Sequence, residues 1–466
     1  MLCVKYGILF RVAFLMLVTS CIHGCRRDQG ENVPDLEVWQ TETDPDAVEI
    51  LNSLAMAFTK DTGVKVRIES VPWGTLSTKL AAAIQAGNEP DISHLEPFMA
   101  RSLFDKNLLV PIDDLIRAIE AHNGPIMDSV KDLQRYDGHY YGVAYAVGTT
   151  GFAYRKDVSD RLGLKVPDTW QAYVKFVEAI SKDSETKGQL RVLLPGGDAF
   201  FMDQLFVELL ANNGGHLFDS TGNPLLTSKP VVETLEFLAS LRPFLDPDWQ
   251  KQRYLDQFTR LARGETGNVP VTYVRAIKTL DSLDKEHEAG PLRFAIMPQP
   301  RGPSMTTESI STIDCEPFVL FKKPAERQVR LKDGHTVRRG DLSMRFLEKF
   351  YDRQWYLRFC NSVPIHLTPI FATLANEPEY LTNPRIQKWL PWNEQCVHML
   401  ADRRVRPILM PDEGSKSLGF LLELQTSKIL TDMVVDVLAN GTAPEVAAAS
   451  GQKKAEHFVQ TKRGTP

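Results

Sequence analysis

Leu36-Glu37-Val38-Trp39, Val64-Lys65-Val66-Arg67-Ile68 and Asp91-Ile92-Ser93-His94-Leu95 are three short strand-like runs that recur about thirty residues apart, and they decide the fold. Between the first two, Ile50, Leu51, Leu54 and Phe58 fall on one face of a helix, and Gly63 suits its stop. Between the second and third, a helix from about Leu76 to Ala86 presents Leu76, Leu80, Ala83 and Ile84, and Gly87 closes it. Strand, helix, strand in that rhythm predicts βαβ units, hence a parallel sheet with helices on its faces. Ligands in such sheets bind beyond the carboxyl ends of the strands. Here those ends are residues 40–44, 71–75 and 96–99.

Working outward, Tyr140-Tyr141-Gly142-Val143-Ala144-Tyr145 begins an extended passage that runs through Tyr154 and predicts a crossing to a second lobe. A mostly helical region follows. Thr169 is placed to cap one helix and Pro230 to open another, while Val269–Val274 and Leu292–Ile296 read as strands. A second extended passage, Ile313 to Phe321, predicts the return. Residues 322–341 form a basic polar insertion expected as a solvated loop or hairpin. A helix from about Lys416 to Asn440 follows, and Thr442-Ala443-Pro444-Glu445 opens a last one as a capping box.

The chain of 466 residues is longer than one hydrophobic core usually serves, so two lobes are expected. A hydrophobic share of 43% and a charged share of 24% exclude low-complexity disorder and a multi-span membrane protein. The net charge of −5 argues against a nucleic-acid partner. Cys315, Cys360 and Cys396 are widely spaced, form no CxxC pair and match no zinc spacing; an exported protein could join two of them, which two the sequence does not say, and otherwise they read as small buried residues. No metal and no cofactor is expected.

The first twenty residues read as a secretory signal: Lys5 and Arg11 lie around a short apolar stretch ending in Val12–Val18, too short to span a bilayer. Val18-Thr19-Ser20-Cys21 resembles the lipobox of bacterial lipoproteins, in which the cysteine is lipidated and becomes the first mature residue. Ile22-His23-Gly24-Cys25 is a weaker candidate. Residues 21–33 then form a polar tether, and loss of Lys5 and Arg11 takes the mature charge to −7.

Several ordered motifs are similar to those of the family-one extracellular solute-binding proteins, the maltose-binding-protein-like sugar receptors of ABC importers. Phe58–Val66 resembles the family's "TGIKV" turn, Gly87-Asn88-Glu89-Pro90-Asp91-Ile92 its "GxxPDV" step, and Gly142–Tyr145 with Phe152–Asp157 its "GxPY…lyYNKD" crossing. Val166-Pro167-Asp168-Thr169-Trp170 resembles "PxTWxE", with Gln171 and Ala172 departing from the acidic continuation, and Gly214–Asp219 resembles "GGxLFD". The insertion at 322–341 is a further departure. The resemblance implies an α/β, two-lobed periplasmic-binding-protein-like fold with hinge crossovers and a ligand cleft. Lobe 1 would hold residues 34–145 plus about 311–365, and lobe 2 residues 146–310 plus about 366–460. It implies a monomeric lipoprotein at the periplasm or outer cell-membrane face, with permease subunits as partners and a sugar as ligand.

Aromatic planes stack on sugar rings while acids and amides pair with the hydroxyls. The ligand candidates at strand ends and turns are therefore Trp39, Glu42, Trp73 and Glu96, with Tyr145 and Asp314 in the crossings. Tyr273 and Arg275 after the Val271 strand, and Trp392, complete the set. Each has a structural alternative: Trp39, Trp73 and Trp392 as packing, Glu96 as a helix N-terminal charge, Arg275 as a surface pair. HExxH, GxSxG, Walker A and GxGxxG motifs are absent. Glu42 with Glu96 could form the carboxylate pair of a glycoside hydrolase, the enzymatic alternative. A lipid-anchored carbohydrate-binding or scaffold protein without transport is the other. Mass spectrometry of the mature protein should find lipidated Cys21 at its N-terminus, and Cys21→Ser should release the protein from membranes or block its processing. Cleavage elsewhere, leaving Cys21 unmodified or absent, would remove the anchor.

Overall fold

A computed structural model describes residues 35–273, 276–283, 293–407 and 421–463. The signal segment and Cys21 lie outside the described residues, as does Arg275.

Strand β1 (Leu36–Gln40) leads into helix α1 (Pro45–Thr62), β2 (Val66–Ser70), helix α2 (Trp73–Ala86) and β3 (Ile92–His94). Asp44 caps α1 by accepting from the Asp46 backbone, and Gly63 ends it at φ 79°, a left-handed turn that favours glycine. Ala47, Leu51, Leu54, Ala55 and Phe58 form the buried face of α1. Leu76 and Leu80 anchor α2, which begins three residues earlier than the sequence pattern suggests, so Trp73 opens the helix instead of standing on a loop. β1 pairs in parallel with β2 on one side and β3 on the other.

The chain then reaches β4 (Val143–Ala144) and crosses through Tyr145-Ala146-Val147 to β5 (Gly148–Arg155). The helical region beyond includes α3 (Ala199–Ala211) and α4 (Tyr254–Ala262), followed by β6 (Asn268–Tyr273), α5 (Ala276–Leu283) and β7 (Phe294–Met297). Strand β8 (Ser311–Asp314) and strand β9 (Pro317–Leu320) come next, separated only by Cys315-Glu316. Helices α6 (Arg339–Phe350) and α7 (Arg353–Ser362) return to pack with α1. Helix α8 (Leu390–Ala401), β10 (Val405–Pro407), α9 (Ile429–Leu438) and α10 (Pro444–Arg463) complete the order.

Two five-stranded sheets result. The first runs β2-β1-β3-β9-β4, with β9 antiparallel to both neighbours; the second runs β10-β8-β5-β6, with β7 also paired to β5. The insertion after β9 is a hairpin of strands Gln328–Arg330 and Thr336–Arg338. It is tied down at its end, where the Arg339 guanidinium grips the buried Asp91 carboxylate with both arms. Thr169 caps its helix by accepting from the Ala172 backbone at 3.3 Å, and Pro230 sits in the first turn of the helix Lys229–Leu241. Cys315, Cys360 and Cys396 are buried and share no disulfide. No helix among the described residues is long and apolar enough to cross a membrane.

Where the second sheet meets the crossings, a buried polar network replaces apolar packing. The Glu208 carboxylate in α3 accepts from Thr312 Oγ1 and Gln299 Nε2. Thr150 in β5 bonds Thr312 at 2.8 Å, and Asn212 donates to Gln299 at 2.8 Å. Burial pushes the Glu208 carboxyl up to about 8, against the opposing pull of its hydrogen bonds. Its native pKa therefore exceeds its unfolded one. The stability it contributes is complete below about pH 4.5 and declines as the pH rises to about 8. In that window the native carboxyl retains its proton while the unfolded chain gives it up. Glu208→Gln should flatten the decline by up to about 1.4 kcal/mol per pH unit, read from urea midpoints of parent and variant at pH 5 and pH 8. Parallel midpoint changes in the two proteins would refute this.

Candidate ligand cleft

A cleft of about 390 Å³ lies between the sheets, beyond the carboxyl ends of the parallel strands. From the first lobe come Thr41 and Thr43 after β1, Trp73 at the start of α2, and Glu96 after β3. Tyr145 and Glu316 enter from the two crossings, and His366 from the segment beyond α7. The facing wall is built by Asp198, Phe200, Phe201 and Gln204 around the start of α3, and by Arg253–Asp256 at the start of α4.

Local chemistry explains each wall. After β1, Gln40 folds the chain back on itself: its Nε2 donates to the Glu42 carbonyl at 2.8 Å, and its Oε1 accepts from the Glu42 backbone at 2.5 Å. That clasp carries Thr41 and Thr43 to the rim. Opposite, Gly196 N–H donates to the Trp249 carbonyl and Gly197 N–H to the Gln252 carbonyl, setting the starts of α3 and α4 side by side. A Cβ on Gly196 would come within 2.5 Å of the Trp249 ring, and one on Gly197 within 2.8 Å of the Lys251 carbonyl oxygen. Only glycine allows this approach. The two helix starts then stack Phe201 on Tyr254, with ring centroids 3.8 Å apart and planes 8° from parallel.

Beneath the first wall lies His94. Its Nδ1 is hydrogen-bonded to Thr41 Oγ1 at 2.5 Å, and its Nε2 stands 4.0 Å from the Glu316 carboxylate. The Tyr145 ring meets it edge-on at 4.1 Å and Trp73 leans on it at 5.5 Å. Burial drives the His94 pKa down to about 3, so the ring is neutral at physiological pH and serves as a packed, hydrogen-bonding support. His366 follows Ile365, whose φ of 73° is a strained, left-handed value for a β-branched residue. The His366 Nε2 lies 3.7 Å from the Glu42 carboxylate.

The residues singled out from sequence divide accordingly. Trp73, Glu96 and Tyr145 line the cleft together. Glu42 lies behind its wall, 2% exposed, with its carboxylate turned to His366 and the Thr43 backbone. The pair Glu42 and Glu96 is therefore not presented jointly to the cavity. Trp39 is not brought to the cleft: it is buried, donates to Glu37 at 2.8 Å and lies under the Lys79 ammonium. Trp392 is buried in α8 against Trp389 and also stays away. Tyr273 ends β6 opposite Thr150, and Asp314 ends β8 opposite Gly148. Sequence reasoning missed the whole facing wall, together with Glu316 and His366. The Gly196-Gly197 pair before a helix start was the available signal for Asp198, Phe200 and Phe201.

Two α/β lobes, joined by crossing strands and enclosing an aromatic and carboxylate-lined cleft, define a hinged binding receptor. Residues 53–328 match the family described as bacterial extracellular solute-binding protein, and the chain belongs to that family. It is 29% identical over 188 residues to the arabinooligosaccharide-binding protein of Halalkalibacterium halodurans, covering 39% of each chain. It is 25% identical over 239 residues to that of Bacillus subtilis, covering 49% of this chain and 53% of the other. The matched stretches thus span about half or less of these relatives. Among solved structures, a solute-binding protein of Agrobacterium radiobacter in complex with ribitol superposes with a TM-score of 0.70 at 18% identity, covering 91% of this chain and 98% of the other. A maltose-bound protein of T. maritima also gives 0.70, at 15% identity, covering 91% and 100%. At such identities the likeness is one of fold.

Among the contacts that join the lobes in the described residues, one lies at the cap of α1, next to the cleft rim at Thr43. Lys278 in α5 forms an ion pair with Asp44, the cap of α1, and lies 3.5 Å from Asp46. Lys278→Ala should let the ligand-free lobes separate, enlarging the radius of gyration in small-angle scattering at low salt. Lys278 is about a quarter exposed and Asp44 nearly buried, so added salt should shrink the difference without abolishing it. Superimposable curves at low salt would show that the pair does not restrain the hinge.

Proposed function

We propose that the protein is the ligand-capturing receptor of an ABC importer, and that its cleft takes a sugar or short oligosaccharide. The observation that carries this is the composition of the cleft. Trp73 and Tyr145 face the stacked Phe201 and Tyr254 across the cavity, with Glu96, Asp198, Asp256 and Glu316 at its edges. Flat apolar rings match the faces of a pyranose or furanose, and carboxylates accept from its hydroxyls. The volume falls within the range of about 300–1,000 Å³ usual for small-molecule sites. Relatives named for arabino-oligosaccharides and fold neighbours holding ribitol and maltose support the same class of ligand.

The action follows from the architecture. The open lobes admit the ligand, which gains contacts with the second wall only on closure, so binding shifts the population toward the closed form. Nothing in this cycle requires bond making or breaking. We further propose a monomer anchored through lipidated Cys21 at the periplasmic or outer membrane face, delivering ligand to permease subunits. Of the lobes read from sequence, 34–145 plus about 311–365 and 146–310 plus about 366–460, the return of the first is moved to about 315, because β8 (Ser311–Asp314) pairs within the second sheet. Of the residues read from sequence, Trp73, Glu96 and Tyr145 are assigned direct contact and Glu42 support of His366; Tyr273, Arg275 and Asp314 stay as candidates from the crossings.

Calorimetry against mono- and oligosaccharides tests the reading. Trp73→Ala should weaken the best ligand tenfold or more. The stacked ring contributes roughly 1 kcal/mol beyond its buried area, and that area adds at about 25 cal/mol per Å². Since Trp73 is partly exposed at a helix start, the variant should keep the parent's melting temperature within a few degrees. Unchanged affinity in Trp73→Ala would misplace the site, and binding of a peptide with no sugar bound would overturn the carbohydrate assignment.

A further inference from the structure

The basic hairpin after β9 takes no part in the cleft, and its place in the fold is specific. Val329 pairs with Val337 on one face of the ribbon, where Val329 is buried, while Arg330 and Arg338 stand exposed on the other. Seven cations meet three acids between residues 322 and 341, in a chain whose net charge is −5. Arg338 and Arg339 are committed to Asp341 and Asp91. The exposed Lys323, Arg330 and Lys332 form no ion pair with any described residue. The ribbon is fixed at the amino ends of the parallel strands. The Lys332 stem lies against Gly63, where α1 stops, and a Cβ there would collide with it. Arg327 reaches the Gly87 carbonyl, where α2 stops, at 3.5 Å, and Arg339 holds Asp91, just ahead of β3. The chain enters the fold at the same pole: Asp35 accepts from the Lys65 backbone at 2.8 Å, two residues beyond Gly63. The cleft lies at the other ends of these strands.

We propose that this hairpin docks the receptor on an anionic phospholipid surface, with Lys323, Arg330 and Lys332 against the headgroup phosphates. The inference goes beyond the sugar-receptor reading and rests on the Cys21 anchor only for its setting. Two observations select a bilayer as the occupant. The first is charge: unpaired cations on a rigid ribbon are complementary to lipid phosphates, and each one brought to such a surface strengthens binding several-fold at low salt. The second is position. From lipidated Cys21 to Asp35 the chain takes fourteen steps, at most about 50 Å when extended, so the anchor delivers this pole, and the ribbon with it, to the membrane. A soluble acidic partner would not require the cations and the tether to share a pole. Contact here leaves the cleft and the second lobe clear of the surface, so the lobes can close on ligand while the receptor is seated.

The experiment is co-sedimentation of the chain from residue 21, carrying Cys21→Ser so that it bears no lipid. The vesicles are phosphatidylglycerol with phosphatidylcholine in equal parts, or phosphatidylcholine alone. The chain should partition at least tenfold more strongly onto the anionic vesicles at low salt, and the preference should shrink as salt rises. Lys323→Gln, Arg330→Gln and Lys332→Gln combined should weaken that partition at least tenfold while the melting temperature stays within a few degrees of the parent. Arg330→Gln alone, on the exposed face, should weaken it about threefold. Lys165→Gln, Lys175→Gln and Lys187→Gln combined remove three exposed cations of the second lobe and should leave it unchanged. No preference for the anionic vesicles, a preference that survives in the hairpin variants, or an equal loss in the second-lobe variant overturns the docking surface. Because the tested chain is lipid-free, each of these failures leaves the Cys21 anchor standing; failure of the anchor shows instead in the mass of the mature protein.

Discussion

The two-residue step Cys315-Glu316 separates a strand of one sheet from a strand of the other, and the rest of the molecule is arranged around that constraint. β8 is held by β5 and β10, while β9 is inserted between β3 and β4, so the peptide between them has to leave one layer and enter the next at once. The neighbouring crossing at Tyr145–Val147 makes the same transit in the opposite direction, and Val147 N–H is secured by the Thr368 carbonyl at 3.0 Å. Two parallel tethers permit rotation of the lobes about their common line and resist sliding. They also dictate where a ligand can be felt: Tyr145 and Glu316 stand on the tethers themselves and face the cavity, so a bound molecule touches the hinge directly.

The two walls are built on different physical terms. The first lobe presents polar edges on a support of neutral His94, Thr41 and the Gln40 clasp, each hydrogen-bonded below the surface. The second presents rings, stacked in pairs and set by glycine-permitted contact between two helix starts. Rings bury area with little loss of side-chain freedom, whereas buried acids demand partners.

The first lobe was largely legible in the sequence because its chemistry follows strand ends. Alternating runs and glycine stops placed β1, α1, β2 and β3, and Trp73, Glu96 and Tyr145 came with them. Trp39 is placed elsewhere for a definite reason: β1 is an interior strand, between β2 and β3, so a large ring near its end is absorbed by packing and by Lys79. Trp392, read either as a second-lobe contact or as packing, takes the packing place, since Pro391 opens helix α8 and the ring joins the core. Phe201, Gln204 and Tyr254 were not legible, since they project from helix starts whose alignment depends on backbone contacts fifty residues apart. His366 was hidden for a similar reason: its direction depends on one left-handed residue that no local pattern announces.

The insertion of β9 between β3 and β4 also sets a timetable. The first sheet contains strands that are complete by residue 144, yet the place between β3 and β4 stays empty until residues 317–320 have been made and have returned. Helices α6 and α7, which cover α1, come later still. Contacts so distant along the chain close slowly, because a long loop has to be ordered before any pairing is gained. A nascent chain of this design remains unlocked through most of its synthesis. For a member of a family stationed outside the cell, that delay is an asset: the polypeptide can be threaded through an export channel as an extended chain and take its final form on the far side.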